Sequence, residues 1–217
     1  MDSLADTLGL SGLDREAFAE VYQALGARGA KSAAQYLAKV RSNAEVKARI
    51  AELNLPAEGS SAHERLLFCG RYSAKAGTGL DDALHAAADG LARAEDLRAR
   101  LGGRKLRLVI SAGQWGDEHK AARAAAFPYS PSVSATYGSP VIEARSAEGV
   151  EAHVETNQLL GYVAMQGGGY VDDIAVFPEV QGQGVASSLL AAAASLERGH
   201  TMSLDVRAAN VPALRLY

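Results

Sequence analysis

The sequence predicts an α/β (α+β) protein in which a sheet flanked by helices follows an all-helical N-terminal region. Residues 1–101 carry apolar side chains at helical spacing and show little strand signal. From Lys105 onward, β-branched runs alternate with alanine-rich helical runs. A content of 48% hydrophobic and 22% charged residues is ordinary for a globular protein. The predicted domains are therefore a helical region, 1–101, and a sheet-containing domain, 105–217.

The N-terminal helices are predicted from apolar spacing and from the residues that end them. One helix follows Asp14 and ends at Gly26, and a second covers residues 33–53. A helix pair is predicted at 64–72 and 80–101, with a Gly-Gly pair after the second helix. Alanine gives these helices propensity but a thin core, so they are expected to pack on another part of the protein.

The elements of the second domain follow from alternation and turn signals. Helices are predicted at 117–127 and after Gly184, and residues 128–140 are predicted to form a loop. Thr156 and Asn157 would turn strand 150–155 back onto strand 159–165, and three consecutive glycines, 167–169, make the next reversal. The predicted strands are 106–110, 150–155, 159–165, 170–176 and 202–207.

The most informative segment is the glycine-rich turn at residues 181–187. Gly182 and Gly184 can adopt positive φ, so backbone N–H groups can converge on an anion at the N-terminus of the next helix. A Walker A loop is excluded because no lysine follows Gly184. A dinucleotide fingerprint is a weak match because Ser187 stands where the third glycine belongs. The turn therefore predicts a site for another kind of phosphate.

The pattern Gln181-x-x-Gly184-x-Ala186 resembles the Q/R-x-x-G-x-G/A signature of the GNAT family of N-acetyltransferases. Strand 170–176 with its closing proline, and the Val-Arg, Asn and Leu-Tyr pattern of 206–217, resemble two further motifs of that family. The resemblance covers about residues 140–217 and is strongest to the enzymes that acetylate the N-terminal alanine of a ribosomal protein. It implies a mixed, mostly antiparallel sheet and an acyltransferase that uses acetyl-CoA as co-substrate.

The resemblance also implies roles for single residues. Asp205 matches the catalytic base, although the related enzymes carry the longer glutamate, and Tyr217 matches the acid that protonates the departing thiolate. Asp172 and Asp173 are rival bases, and proton loss through water is a further alternative. The predicted cofactor-binding residues are Ile174, Ala175 and Val176, which pair with pantetheine, then Gln181, Gly182, Gln183, Gly184, Val185, Ala186 and Ser187 at the pyrophosphate, and Asn210, which also caps the last helix.

The predicted reaction is direct transfer of an acetyl group to a primary amine, either a protein N-terminus or a small molecule. The alternative is a non-catalytic acyl-CoA-binding or protein-interaction module. The family pattern continues with further strands after Tyr217, so we expect either a C-terminally truncated chain or a protein with impaired catalysis that can still bind coenzyme. The N-terminal helices or a second copy, in a homodimer, would then cover the last sheet edge.

Other classes of function are excluded or weakened by composition. A net charge of -3 gives no overall footprint for nucleic acid, and the single cysteine, Cys69, is expected to be a small buried hydrophobe. The five histidines lack metal-ligand spacing, so no metal site is expected. No apolar run approaches ~18 residues, and no signal peptide is recognised, which predicts a cytoplasmic protein. Trp115 is expected to be a buried anchor or a loop aromatic, and the basic run 98–105 a solvated helix end.

Overall fold

The computed structural model describes residues 43–56, 61–73, 79–129, 138–147, 157–197, 201–207 and 210–217, together with Asp6, Arg15, Ala19, Gln23 and Lys31. Its helices are α1 Asn43–Glu52, α2 Ser61–Tyr72, α3 Leu80–Leu101, α4 Asp117–Ala126, α5 Val185–Leu196 and α6 Val211–Leu214. Its strands are β1 Leu108–Gln114, β2 Pro140–Ser146, β3 Leu159–Gln166, β4 Tyr170–Val176 and β5 Ser203–Leu204, with a 3₁₀ turn at Pro178–Val180.

The contacts within the chain define two compact units. Unit 1 contains Met1–Ala88, Pro128–Ser130 and Arg207–Tyr217, and unit 2 contains Asp89–Phe127 and Pro131–Val206. The predicted domains, 1–101 and 105–217, stay a prediction. Residues 14–26 and 33–42 lie outside the described residues apart from isolated positions, and strand 150–155 lies wholly outside them.

Unit 2 is built on a five-stranded sheet in the order β1-β2-β3-β4-β5. The first three pairings are antiparallel and the pairing of β4 with β5 is parallel. The predicted mixed, mostly antiparallel sheet with flanking helices is therefore confirmed. The central strand β3 is buried along most of its length, as expected for a strand with helices on both faces of its sheet.

Each face of the sheet carries its own apolar core. On one face, the end of α3 and the buried side of α5 pack against Ile142, Leu160, Val163 and Val176. On the other face, α4 packs its alanines against Tyr162 and Trp115. Trp115 is 3% exposed. Of the two expected roles, buried anchor or loop aromatic, the structure shows the buried anchor.

Several strand predictions were wrong. The predicted partner of β3 was strand 150–155, but β3 pairs with β2 on one side and β4 on the other. β2 was not predicted because Glu143 and Arg145 interrupt its apolar run. In the structure these two side chains of β2 form an ion pair with each other at 2.7 Å. β1 begins two residues later than predicted and extends to Gln114, and β5 is much shorter than the predicted 202–207.

Unit 1 contains the packed helices α1 and α2 together with α6, which contacts α2. An aromatic cluster of Phe68, Tyr72 and Tyr129 forms part of its core, with ring centroids 4.9–5.9 Å apart. Cys69 is buried beside it, and burial raises the pKa of its thiol to about 11. The thiol therefore remains protonated at neutral pH, as expected for a small hydrophobe.

Candidate functional site

The turn at residues 181–187 has the backbone geometry that its glycines predicted. Gly182 lies at φ 75° and Gly184 at φ 84°, both in the left-handed region. Gly184 is the N-cap of α5. The Gln181 side-chain amide donates a 2.9 Å hydrogen bond to the carbonyl of Val176. That bond fixes the start of the turn to the end of β4.

The first turn of α5 presents backbone donors at this turn. Intrahelical bonding begins where the Ser188 N–H donates to the Gly184 carbonyl at 3.0 Å. The N–H groups of Val185, Ala186 and Ser187 precede that bond, so they have no carbonyl within the helix. Together with the helix dipole they favour an anion at this position.

The outer edge of β4 is open beside the turn. β5 pairs only with Tyr170 and Val171 at the start of β4. Ile174, Ala175 and Val176 pair with β3 on their inner side. Among the described residues no strand pairs with their outer edge, so the backbone groups there can receive an extended ligand.

A β-bulge lies where β4 and β5 part. Ala164 of β3 faces Asp173 and the next residue, Met165, faces Val171, so Asp172 is the extra residue on β4. The carboxylate of Asp172 accepts a 2.9 Å hydrogen bond from the Gln166 side chain. Because of the bulge, the carboxylates of the neighbouring residues Asp172 and Asp173 lie in different surroundings.

Asp173 is the more buried of these two carboxylates. Its Oδ2 accepts a hydrogen bond from the Tyr162 hydroxyl and lies 3.3 Å from Nε of Arg123 on α4. Burial raises the pKa of this carboxyl above its usual value, although Arg123 and Tyr162 oppose the shift. The same burial, with the neighbouring carboxylate, raises the pKa of the Tyr162 phenol.

Asp205 lies in different surroundings. It is exposed one residue beyond β5 and accepts a 3.1 Å hydrogen bond from the Tyr170 hydroxyl. That hydrogen bond is the main reason that the pKa of Tyr170 is raised. The predicted alternation holds locally, since Ser203 and Asp205 are exposed and Leu204 between them is partly covered.

Residues 120–217 match the family model described as Acetyltransferase (GNAT) family. These residues are a GNAT family domain. The match includes the glycine turn, the open edge of β4 and all three carboxylates. No curated protein and no solved structure matches the chain. The family implies an acyltransferase, typically one that uses acetyl-CoA, and the narrower resemblance to ribosomal-protein alanine acetyltransferases stays a prediction.

Asn210 and Tyr217, the last predicted site residues of the GNAT domain, belong to unit 1, whereas the turn and Asp205 belong to unit 2. The side-chain oxygen of Asn210 accepts a 3.4 Å hydrogen bond from the Ala213 N–H in the first turn of α6. The predicted capping role is therefore confirmed. Tyr217 is 48% exposed, and its N–H donates to the Ala213 carbonyl.

No local pattern in the sequence predicted that α3 reaches the glycine turn. Gly90 lies against Pro178 so closely that a Cβ on Gly90 would stand 2.4 Å from the proline Cβ. Two turns further along the same helix, Nη2 of Arg98 donates a 2.9 Å hydrogen bond to the Gln181 carbonyl. The basic run 98–105 is therefore not simply a solvated helix end, because one of its arginines contacts the turn. Only the tertiary fold brings residues this far apart in sequence together.

A buried His–Glu pair on the α4 face was also missed. Nδ1 of His119 accepts the Gly116 N–H, so the ring proton lies on Nε2, which is 3.0 Å from Glu143. A Cβ on Gly113 would stand 1.9 Å from the Glu143 carboxylate, so the absence of a side chain at Gly113 leaves room for that carboxylate. Burial lowers the pKa of His119. The imidazole is therefore neutral at pH 7.

Neither a cluster of metal ligands nor a membrane-spanning helix is found in the described ranges. Their His, Cys, Asp and Glu side chains form no group of three or more that could hold a metal ion. The helices in those ranges are too short or too polar to cross a membrane.

Proposed function

We propose that this protein is an acetyl-CoA-dependent N-acetyltransferase that moves an acetyl group to a primary amine by direct transfer. The observation that carries the proposal is the turn of Gly182 and Gly184, which joins the open edge of β4 to the N-terminus of α5 within the GNAT domain. An anion-receptive turn beside an unpaired strand edge suits a ligand that has a pyrophosphate at one end and amides along its length.

The position of coenzyme A follows from these two features. The N–H groups of residues 184–187 would hold the pyrophosphate. Pantetheine would then run back along β4, with its amides against Ile174, Ala175 and Val176. That direction carries the thioester toward the bulge at Asp172, where β4 and β5 part. Bulges are frequent beside active sites because they re-aim backbone and side-chain groups.

The reaction needs a base for the ammonium and an acid for the thiolate. The free amine attacks the thioester carbonyl carbon, a C–N bond forms, the C–S bond breaks, and the thiolate takes up a proton. We propose Asp205 as the base and Tyr217 as the acid. The exposed carboxylate of Asp205 is accessible to an incoming amine, whereas Asp173 already pairs with Tyr162 and Arg123.

The binding claim can be tested with two glycines of nearly equal backbone geometry. Gly184 lies at φ 84° in the turn and Gly168 at φ 83° in the β3–β4 connection, and neither has an atom within 4 Å of an added Cβ. Alanine at either position costs about 1 kcal/mol of backbone strain. Calorimetry should show weaker coenzyme A binding for Gly184→Ala only. Equal affinity in the two variants, or no binding by the wild type, would refute the assignment of the turn.

The catalytic assignment requires a separate experiment. Thiol release from acetyl-CoA would be followed with a panel of peptides and small primary amines. Asp205→Asn and Tyr217→Phe should each reduce kcat while leaving coenzyme affinity unchanged, and Asp173→Asn should retain the wild-type limb of the pH–rate profile that reports the base. Loss of that limb in Asp173→Asn would transfer the role of base to Asp173. Coenzyme binding without turnover on any acceptor would favour a non-catalytic acyl-CoA-binding module.

A further inference from the structure

Arg98 is a charged side chain of α3 that lies beside the glycine turn but outside the residues matched by the GNAT family model. Its Nη2 donates to the Gln181 carbonyl at 2.9 Å, and a Cβ on Gly182 would stand 2.7 Å from the same nitrogen. The guanidinium therefore lies directly against the first glycine of the turn.

Among the described residues, the bond to Gln181 is the one polar contact that the Arg98 side chain makes. An arginine carries five N–H donors in a planar fork that suits phosphate oxygens. Because the side chain is exposed, its remaining donors are accessible to a ligand. Arg100, two residues later, differs in this respect because it pairs with Asp96 on its own helix.

α3 contacts the segment that leads into the glycine turn at two positions. Gly90 lets the helix approach Pro178, at the start of the 3₁₀ turn, and Arg98 bonds to the residue that follows that turn. A glycine in a helix interior is less favourable than alanine, so this close approach is made at the expense of helix stability. The helix is thereby held where the Arg98 guanidinium lies against Gln181 and Gly182 at the start of the turn.

We propose that Arg98 is a specificity-determining residue that binds the pyrophosphate of coenzyme A together with the backbone of the turn. This inference rests on the proposed function, since it assumes that the turn binds a coenzyme A pyrophosphate. Arg98 would add a binding residue from the N-terminal part of the chain to a coenzyme site whose other groups lie in the GNAT domain. The guanidinium supplies a full positive charge, which the backbone amides do not.

The test is calorimetry on the full chain with coenzyme A and with dephospho-coenzyme A, which keeps the pyrophosphate and lacks the 3′-phosphate. Arg98→Gln should weaken binding of both ligands by the same factor, about tenfold for one charge-assisted contact. Arg100→Gln is the matched control and should bind both ligands as the wild type does. The salt dependence of affinity should also become less steep in Arg98→Gln, because one ionic contact has been removed.

Each outcome decides the proposal. Affinity lost for coenzyme A alone would place Arg98 at the 3′-phosphate and overturn the assignment to the pyrophosphate. Reduced affinity with an unchanged salt dependence would mean that Arg98 only holds the turn in place. Wild-type affinity in Arg98→Gln would overturn any role in binding. Failure of the wild type to bind coenzyme A is a different result, because it refutes the proposed function itself.

Discussion

Gly90→Ala changes a buried glycine in the interior of α3, where it packs against Pro178. Two effects of opposite sign compete. Alanine stabilises a helix interior by about 1 kcal/mol relative to glycine. The new Cβ would stand 2.4 Å from the proline Cβ, a distance that real Cβ contacts do not show, so helix or turn must shift. Overpacking of this kind costs about 1–3 kcal/mol.

The steric cost is expected to win because both contact atoms belong to rigid groups, a helix backbone and a proline ring. The net destabilisation is then up to about 2 kcal/mol, which lowers the melting temperature by up to about 8 °C in a chain of this size. Thermal unfolding followed by circular dichroism measures the shift. Coenzyme A affinity should fall as well, since Pro178 begins the turn that leads to Gln181.

The adjacent exposed residue provides the control. Asp89→Ala also places alanine in the interior of α3, but on its exposed side, so the melting temperature should stay the same or rise. If Gly90→Ala melts at or above the wild-type temperature, helix propensity outweighs the contact. That result would show that α3 is not fitted closely against Pro178.

Three further predictions concern the sheet and its buried polar groups. Gly161→Ala places a Cβ 2.7 Å from the carbonyl oxygen of Ala175, so it should separate β3 from β4. Chemical denaturation should show a loss of at least about 2 kcal/mol in the free energy of unfolding. A smaller loss would contradict the close approach of the two strands. Because burial lowers the pKa of His119, the unfolded chain binds more protons than the folded chain just below about pH 6.5, and stability should fall there as pH decreases. His119→Gln should flatten that decline in melting temperature, and an unchanged decline would assign it to other groups. Tyr162→Phe removes a hydrogen bond that lowers the pKa of Asp173, so a carboxyl titration by NMR should show a higher value than in the wild type, and an unchanged value would exclude the contact.

The parts of the fold that the sequence predicted well depend on local chemistry. α3 and β4 have the predicted bounds because apolar spacing, the glycines after α3 and the proline after β4 all act within a few residues. The strand that was missed, β2, carries Glu143 and Arg145 at positions that local patterning assigns to solvent. The two charges pair with each other in the sheet, and Glu143 also pairs with His119 and Arg145 with Glu118, which no local pattern reveals.

The sequence by itself determined the glycine turn, because positive φ at Gly182 and Gly184 follows from the absence of a Cβ and requires no partner. The capping of α6 by Asn210 is local in the same way. The tertiary structure alone decided that β5 leaves most of the β4 edge open and that Arg98, 83 positions before Gln181, lies against the turn. Strand pairing and helix packing join residues that are distant in the chain, so these features depend on the whole fold rather than on any local pattern.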